Sequence, residues 1–441
     1  MFKYLLIWRY FIRKKVAWTA VGAVALLVML TLVVLSVMSG LVSETKEKNH
    51  RWVSDIIISR DSQVGFPFYQ EFIDQLHEMP EVQIATPTIK SFGLLESSFA
   101  EPMPKTIVGI KIDEYCKATN FAETLYYKDQ KQPNFDPEDK QYKDRGFIFG
   151  IYRSYQKDAW QYVANEMDIT VFGISYRGVL IGSEAGQKQR YWYVDNAASG
   201  LPDIDESYVY IDFDMLQKLA LMDGTMDNFP ARVNEIRVKL ADNVNIVATQ
   251  KIINEKWQAF KQNYTAKKYA LLLDDVTVSH WSKSRQAFIA PLEKERTIMV
   301  LVFTMMAFVA AFIIFTIFYM IVSEKVKDLG IIKSSGASSA DLASVFIGFG
   351  LLVGLAGSVL GSSAGYLIVT NVNAIQEIVK TKFKFELWPE DVYAISRIPD
   401  VVDANQMAFI VIIAIIVSAS GALVPAIRAS RLSVVQSLRV D

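Results

Sequence analysis

Residues 298–322 read IMVLVFTMMAFVAAFIIFTIFYMIV and contain no Asp, Glu, Lys or Arg. A charge-free apolar run of about 20 residues is long enough to cross the hydrocarbon core of a bilayer as an α-helix. Three further windows, at 17–39, 345–369 and 407–425, share this property. The sequence therefore predicts a membrane protein with four transmembrane helices, one before and three after a large intervening domain.

The average composition does not reveal that the charged residues are separated from these apolar windows. The 441 residues carry 46 basic and 47 acidic side chains, a formal net charge of −1, and every charge lies outside the four windows. Balanced charge argues against a nucleic-acid-binding protein, which needs a basic surface. The single cysteine, Cys116, excludes both a disulfide within the chain and a paired-cysteine metal site.

Lys and Arg next to the windows predict the orientation. The segments 1–16, 323–344 and 426–441 together carry 11 basic and 4 acidic residues, whereas 370–406 carries 4 and 6, and 40–297 carries 31 and 37. Short cytoplasmic flanks are enriched in Lys and Arg. We therefore expect both termini and the 323–344 segment in the cytoplasm, and the 40–297 domain and 370–406 loop outside it.

The N-terminal segment 1–16 alternates aromatic and basic residues, which favours a helix lying at the level of the lipid headgroups. A cleaved signal peptide is the alternative for the first window, because basic residues precede it and small residues end it. Its 23 residues exceed the apolar core of a signal peptide, and no A-x-A site follows. An uncleaved membrane anchor is therefore favoured.

The domain at 40–297 has the mixed pattern of an α+β fold. Strands are predicted at 53–59, 106–112, 179–181, 208–211 and 235–238, and helices at 69–77, 214–221 and 243–261. A stretch at about 117–176, rich in Tyr, Lys, Asp and Gln, indicates an inserted polar lobe of irregular structure.

Motifs for independent catalysis are absent from the sequence. It has no GxxxxGK[ST], HExxH or GxSxG, and its histidines, His50, His77 and His280, are dispersed. The acidic residues at 203, 205 and 206 are typical of a solvated turn rather than a cation site. The four windows lack the ionisable groups of ion-coupled carriers. We therefore expect no enzyme activity and an external source of energy.

The segment VSEKVKDLGIIKSSGAS, at 322–338, is amphipathic and carries most of the charge between the second and third windows. Two interpretations are open, a solvated connection or a helix that docks on a partner.

Several strings resemble one known family. VAAFIIFTIFYMIVSEKVKDLGIIKSSGAS at 309–338 resembles the second span and coupling helix of the lipoprotein-releasing permeases, the LolC/LolE branch of the MacB/FtsX-type ABC permease superfamily. The resemblance continues through WRYFIRKK at 8–15, GVLIGSEAG at 178–186, YAISRIPDVV at 393–402 and LVPAIRASRLSVVQSLRV at 423–440, in order along nearly the whole chain. It departs from the family at Ile313, where Asn is frequent, and in the long polar lobe.

The resemblance implies a multi-pass permease of the bacterial inner membrane, with a periplasmic domain between spans one and two. It implies an ABC ATPase subunit, which binds ATP and Mg²⁺, and a second permease copy or a homologue. Lipoprotein cargo, membrane lipid and a periplasmic acceptor protein are the further partners implied.

The resemblance also assigns roles to residues of this chain. It places the ATPase-coupling helix at Glu324, Lys325, Lys327, Asp328, Gly330, Lys333, Gly336 and Ala337. It places a membrane cavity at Val33, Val37, Met38, Phe303, Met306 and Phe312. Separately, small residues at helical spacing predict close helix packing at Gly350, Gly354, Gly357, Gly361 and Gly365.

The function implied is extraction of lipoproteins from the outer leaflet of the inner membrane, driven by a separate ATPase. The alternative within the same architecture is mechanotransmission, in which the permease drives a periplasmic efflux duct or cell-wall hydrolase. A third class is a membrane-anchored structural or sensory protein with no ATPase.

Overall fold

The computed structural model describes residues 15–97, 100–127, 133–137, 140–150, 166–181, 186–225, 229–264, 266–324, 326, 331, 333–384 and 397–431. Most of the predicted interfacial helix at 1–16 lies outside the described residues, as do four predicted coupling residues, Lys325, Lys327, Asp328 and Gly330. The chain divides into two compact units. A helical unit comprises the described residues of Met1–Glu44, Ala290–Pro389 and Ser396–Asp441, and a sheet unit comprises those of Thr45–Ile289.

Four described helices are long and apolar enough to cross a membrane. They are α1 (Lys15–Val53), α10 (Gln286–Glu324), α11 (Ser339–Thr370) and α13 (Ala404–Arg431). Each predicted window lies inside one of them, and each helix extends beyond its window because backbone hydrogen bonds can continue along a helix into water. A shorter helix, α12 (Val372–Phe383), follows α11.

The sheet unit contains strands of very different length. They are β1 (Ile56–Arg60), β2 (Phe66–Pro67), β3 (Val82–Ser97), β4 (Ala100–Ile110), β5 (Gly146–Gly150), β6 (Glu166–Val171), β7 (Gly173–Ile174), β8 (Leu180–Ile181), β9 (Gln187–Ala197), β10 (Tyr208–Asp212), β11 (Arg232–Val233), β12 (Glu235–Leu240) and β13 (Val276–His280). The main sheet has the order β13-β1-β12-β3-β4-β10-β5-β9-β6, and β3 also pairs with β6. The second pairing closes the six strands from β3 to β6 into a ring.

Helices cover this sheet. They are α2 (Tyr69–His77), α3 (Ile112–Ala118), α4 (Phe121–Thr124), α5 (Pro202–Asp205), α6 (Phe213–Leu219), α7 (Ile246–Lys261), α8 (Lys267–Asp274) and α9 (Trp281–Ser284). The predicted helix at 69–77 has the observed bounds, since Phe72, Ile73 and Leu76 form one buried face.

Both faces of the central strands are buried. Successive side chains of a strand point to opposite faces, and on β10 Val209 and Ile211 join one apolar cluster while Tyr210 joins another. On β5, Phe147 joins the first cluster and Ile148 the second. The sheet therefore lies between two apolar layers, as in an α+β domain.

Two predictions about this unit were wrong in detail. The stretch predicted as an irregular polar lobe at 117–176 contributes β5 and β6 to the main sheet. Short apolar cores flanked by glycine, such as GFIFG at 146–150, do not show the long alternation that identifies a strand. The strand predicted at 53–59 begins later, at Ile56, because α1 continues to Val53.

Candidate functional site

The first half of the glycine face of α11 packs on α13. A Cβ placed on Gly350 would lie 2.7 Å from Cβ of Ala422, and one on Gly354 would lie 2.9 Å from Cβ of Ser418. Distances under 3 Å leave no room for a side chain. The two backbones therefore approach as closely as the small residues allow, which is the geometry of small-xxx-small packing in membranes.

The second half of the glycine face packs on α1 instead. A Cβ on Gly357 would lie 2.7 Å from Cβ of Val24, and one on Gly361 would lie 2.5 Å from the carbonyl oxygen of Ala25. Gly365 faces Leu32 in the same way, at 3.0 Å. The helix α11 is thus held between α1 and α13 within the helical unit.

A mostly apolar cavity of about 400 Å³ lies among α1, α10 and α13. From α10 it is lined by Val300, Phe303, Thr304, Ala307, Phe308 and Ala311. Their spacing of three and four residues places them on one face of that helix. Arg296 and Gln406 add polar groups to the lining. The cavity can receive an apolar chain with a polar or anionic end.

The predicted cavity residues lie in different places. Phe303 lines the cavity, whereas Phe312 is 67% exposed. These two are nine residues apart, which is two and a half turns, so they point to opposite sides of α10. Val37 is buried against Val372 and Ile398.

Of the remaining predicted cavity residues, Met38 is buried, and Val33 and Met306 are half-buried. None of these three residues lines this cavity. A helical periodicity count along α10, extended from Phe303, would have found the lining face. A role for the other five residues in a central membrane cavity open to the outer leaflet stays a prediction.

The described part of the predicted coupling segment lies between α10 and α11. Glu324 ends α10, and Nζ of Lys333 donates a hydrogen bond to the carbonyl oxygen of Ser430, at 2.9 Å. Ser430 belongs to the last turn of α13, whose carbonyls lack partners within the helix. The lysine therefore ties this segment to the end of α13.

Gly336 and Ala337 connect the segment to α11. Gly336 has φ +99°, and nothing lies within 4 Å of the position that a Cβ would occupy, so glycine is required there for backbone conformation and not for packing. Ser338 then caps α11, since its hydroxyl accepts from the N–H of Asp341 and the Asp341 carboxylate accepts from Ser338. This capping box was not predicted from the sequence, although Ser-x-x-Asp is a known signal for the start of a helix.

Several of the acidic and histidine residues considered for chemistry in the sheet unit have protein partners. Asp203 forms an ion pair with Arg285 at 2.8 Å, and Nε2 of His50 lies within hydrogen-bond distance of the Asp55 carboxylate, at 2.7 Å. Asp205 accepts hydrogen bonds from Ser199 and Gly200. Within the described ranges, no three His, Cys, Asp or Glu residues are grouped to hold a metal ion.

Burial governs the titration of Asp205. Its carboxyl is 2% exposed, and burial, together with the charge of Asp203, raises its pKa to about 6 despite the hydrogen bonds from Ser199 and Gly200. A buried carboxyl that gains a proton near neutrality makes this corner sensitive to pH.

Part of the helical unit matches a known protein family. Residues 300–434 match the FtsX-like permease C-terminal domain. That segment includes most of α10 and all of α11 and α13.

Two curated relatives are similar in sequence to parts of this chain. The lipoprotein-releasing system transmembrane protein LolC of Xylella fastidiosa is 26% identical over 243 residues, which cover 55% of this chain and 53% of that protein. LolE of Haemophilus influenzae is 27% identical over 143 residues, covering 32% of this chain and 34% of that protein. The chain spans about half the length of the first of these curated relatives.

A solved structure shows a weaker likeness. The periplasmic region of MacB from Actinobacillus actinomycetemcomitans has a TM-score of 0.31 and 15% identity, over 53% of this chain and 92% of that one. The sequence comparisons do not depend on this structural likeness. They show that this chain carries an FtsX-like permease domain, and they confirm its resemblance to the LolC and LolE permeases.

Proposed function

We propose that this chain is the permease subunit of an ABC transporter that extracts lipoproteins from the outer leaflet of the bacterial inner membrane. The observation that carries the proposal is the similarity to proteins named LolC and LolE, combined with an FtsX-like permease domain over the segment that holds three of the apolar helices. ATP and Mg²⁺ bind to a separate ATPase subunit, and a second permease copy or homologue completes the assembly.

The energetics explain why such a protein needs apolar surfaces and ATP. Each lipid CH₂ moved from bilayer to water costs about 0.8 kcal/mol, so release of a naked two- or three-chain anchor costs on the order of 20 to 40 kcal/mol. The cargo must therefore pass between apolar walls. The cavity among α1, α10 and α13 offers such walls, and Arg296 beside them offers a charge for a polar end.

The mechanotransmission alternative shares this architecture but has less support. The curated relatives reported above are both named for lipoprotein release. We therefore place lipoprotein release first.

Depletion of the chain in its own host tests the proposal. We expect lipoproteins destined for other compartments to accumulate in the inner membrane, as measured by fractionation and immunoblotting. Restoration by the intact chain, but not by an empty vector, is the control. Normal lipoprotein sorting after depletion would refute lipoprotein release and favour the alternative.

The proposed coupling site has its own test. Reversal of charge by Lys333→Glu removes the bond to Ser430 and should uncouple ATP hydrolysis from lipoprotein release, whereas Lys333→Arg should retain coupling. Gly336→Val should also uncouple, because φ +99° strains a β-branched residue, and Gly336→Asn should be milder. Release and ATPase rates are measured together in proteoliposomes, and unchanged release in both disruptive variants would show that the coupling site lies elsewhere.

A further inference from the structure

The short helix α12 has an apolar face that the described residues leave open. Ile375 is 36% exposed and Ile378 is 56% exposed. Both share one side of the helix with Lys382, because residues three, four and seven positions apart lie on the same side. The other side carries Asn373, Glu377 and Lys380, which have the same kind of spacing. The helix is therefore amphipathic.

The start of α12 is fixed to the rest of the helical unit. Nδ2 of Asn373 donates a hydrogen bond to the carbonyl oxygen of Ile398, at 3.0 Å, and the backbone N–H of Ile398 donates to Oδ1 of Asn373, at 2.9 Å. Val372 is buried against Val37 and Ile398. These contacts join α12 to α1 and to the segment that precedes α13.

This start lies at the level where three of the charge-free windows end. Val37 belongs to the last turn of the window at 17–39, and the window at 345–369 ends three residues before Val372. The hydroxyl oxygen of Ser39 accepts a hydrogen bond from Nε2 of Gln406, at 3.4 Å, and Gln406 directly precedes the window at 407–425. Apolar windows end where the hydrocarbon core meets water. The helix α12 therefore begins at that boundary.

A break in the backbone makes α12 a new helix and not a continuation of α11. Asn371 has φ −112° and ψ 14°, outside the α-helical values. Its side-chain amide donates to the carbonyl oxygen of Leu367, at 2.8 Å, and its own carbonyl oxygen accepts from the N–H of Ile375, at 3.0 Å. Asn371 thus ends one helix and begins the next.

The charge of α12 and its flank favours a negatively charged surface. Lys380, Lys382 and Lys384 stand against the single acid Glu377. A basic amphipathic helix at the boundary of a bilayer is typical of a segment that lies among the lipid headgroups. A lysine on the apolar face of such a helix places its methylene groups along the acyl chains and its ammonium group at the phosphates.

We propose that α12 lies along the bilayer surface, with Ile375 and Ile378 among the acyl chains and with Lys382 and Lys384 bound to anionic phospholipid headgroups. A helix directed away from the boundary would instead hold both isoleucines in water, where their apolar surface is unfavourable. The proposal does not depend on lipoprotein release, because contact of α12 with lipid is measured without cargo, ATP or transport.

Fluorescence quenching by lipid tests the position of α12. In the full chain with Cys116→Ser, the substitutions Ile378→Cys and Glu377→Cys are made separately and labelled with the fluorophore NBD. Each chain is reconstituted into nanodiscs of phosphatidylcholine and phosphatidylglycerol, with or without phosphatidylcholine that carries a nitroxide near the top of its acyl chain. Quenching should be about threefold stronger at Ile378→Cys than at Glu377→Cys, because the two faces of a helix lie about 10 Å apart.

The preference for anionic lipid is measured on labelled Ile378→Cys. The nitroxide is placed either on phosphatidylglycerol or on phosphatidylcholine, at equal mole fractions. Phosphatidylglycerol should quench about threefold more strongly, because basic residues at the surface attract anionic lipid. Lys382→Gln combined with Lys384→Gln should remove this difference. Lys251→Gln combined with Lys256→Gln, an equal charge change at exposed positions of α7, should retain it.

Four results would overturn the proposal. Equal quenching at Ile378→Cys and Glu377→Cys would refute the orientation, and weak quenching at both would show that protein, such as a second copy of the chain, covers α12. Equal quenching by the two lipids would refute binding of anionic headgroups, as would a preference that persists without Lys382 and Lys384. Monodisperse elution of every variant establishes that a lost signal does not arise from unfolding.

Discussion

The sheet unit and the helical unit bury polar groups in opposite ways. The sheet unit encloses ionised side chains, among them Arg237 at 3% exposure with Glu235 and Lys90 beside it. In the described part of the helical unit, the buried polar side chains are the hydroxyls of Ser36, Ser358 and Ser418. The sheet unit compensates buried charge with opposite charge, and the described part of the helical unit contains no buried charge to compensate.

The difference follows from the solvent that each unit is built for. In water, apolar burial drives folding, and a charge can be buried if a partner neutralises it. In lipid, apolar side chains gain nothing by leaving their surroundings, so helices associate through close backbone packing. The sheet unit should therefore be most sensitive to loss of charge, and the helical unit to gain of volume.

The largest effect is expected from Glu235→Gln. The substitution keeps the shape of the side chain but leaves Lys90 and Arg237 without their shared carboxylate. Removing one partner of a buried ion pair typically costs about 3 to 5 kcal/mol in the free energy of unfolding. Thermal unfolding of the full chain in detergent measures this.

Glu166→Gln is the matched control, because Glu166 pairs with Arg190 at the sheet surface with 41% of its side chain exposed. It should cost less than 1 kcal/mol. Equal destabilisation by the two variants would contradict the idea that the buried cluster depends on charge compensation.

A pH-dependent effect is expected at Asp205. Its folded pKa, about 6, lies above the value of 3.8 for an unperturbed aspartate. The folded state therefore favours the protonated form, and this contribution is complete below about pH 4 and lost as the pH rises to 6. The loss is on the order of 3 kcal/mol between pH 4 and 7.

Asp205→Asn should remove that slope, so the variant should gain stability relative to the unchanged chain as the pH rises. Ser199→Ala deletes a hydrogen bond that lowers the pKa of Asp205, and should move the transition to higher pH. Denaturant unfolding at several pH values gives both results, and a pH-independent difference for Asp205→Asn would exclude this titration.

Adding side-chain volume at Gly361 is expected to destabilise the helical unit. Alanine there would place Cβ 2.5 Å from the Ala25 carbonyl oxygen, and a backbone atom cannot move aside as a flexible side chain can. Overpacking of this kind costs about 1 to 3 kcal/mol. Gly22→Ala is the matched control, because nothing lies within 4 Å of a Cβ at that helical position.

The control should be neutral or slightly stabilising, since alanine favours a helix over glycine. The two variants are compared by the temperature at which the chain in detergent loses its monodisperse elution. If both lower that temperature equally, close packing of α11 on α1 is not what stabilises the unit.

The sequence predicts the helical unit better than its site. Charge-free windows locate α1, α10, α11 and α13, because apolar length is a strong signal. Spacing of glycines shows that α11 packs closely, but not that Gly350 and Gly354 meet α13 while Gly361 meets α1. The lining of the cavity among α1, α10 and α13 depends on the rotation of α10 about its axis, which places Phe303 in the lining and Phe312 outside it.

In the sheet unit the short, regular elements are predictable and the long strands are not. The helix at 69–77 and the strands at Tyr208 and Glu235 follow from local periodicity. The 16-residue strand β3 contains Pro87 and Gly93 and pairs with β12, β4 and β6 along different parts of its length. Such a strand is specified by its partners, which sequence reasoning cannot place.

The last prediction concerns the chemical reactivity of Cys116, whose thiol reports on the opening of the sheet unit. It is the single cysteine of the sequence, and burial, with the charge of Asp113 added, raises the pKa of its thiol to about 12. Only the thiolate reacts with maleimide, so labelling at pH 8 should be about 10³-fold slower than that of an ordinary thiol. Labelling should become fast once the sheet unit opens.

The rate of Cys116 labelling shows whether the two units of the chain unfold separately or together. Glu235→Gln should accelerate the labelling of Cys116 because it destabilises the sheet unit that contains the thiol. Gly361→Ala should leave the rate unchanged if the helical unit unfolds separately, even though it lowers the stability of the chain. Mass spectrometry after timed quenching measures both rates, and equal acceleration in the two variants would mean that the units unfold together.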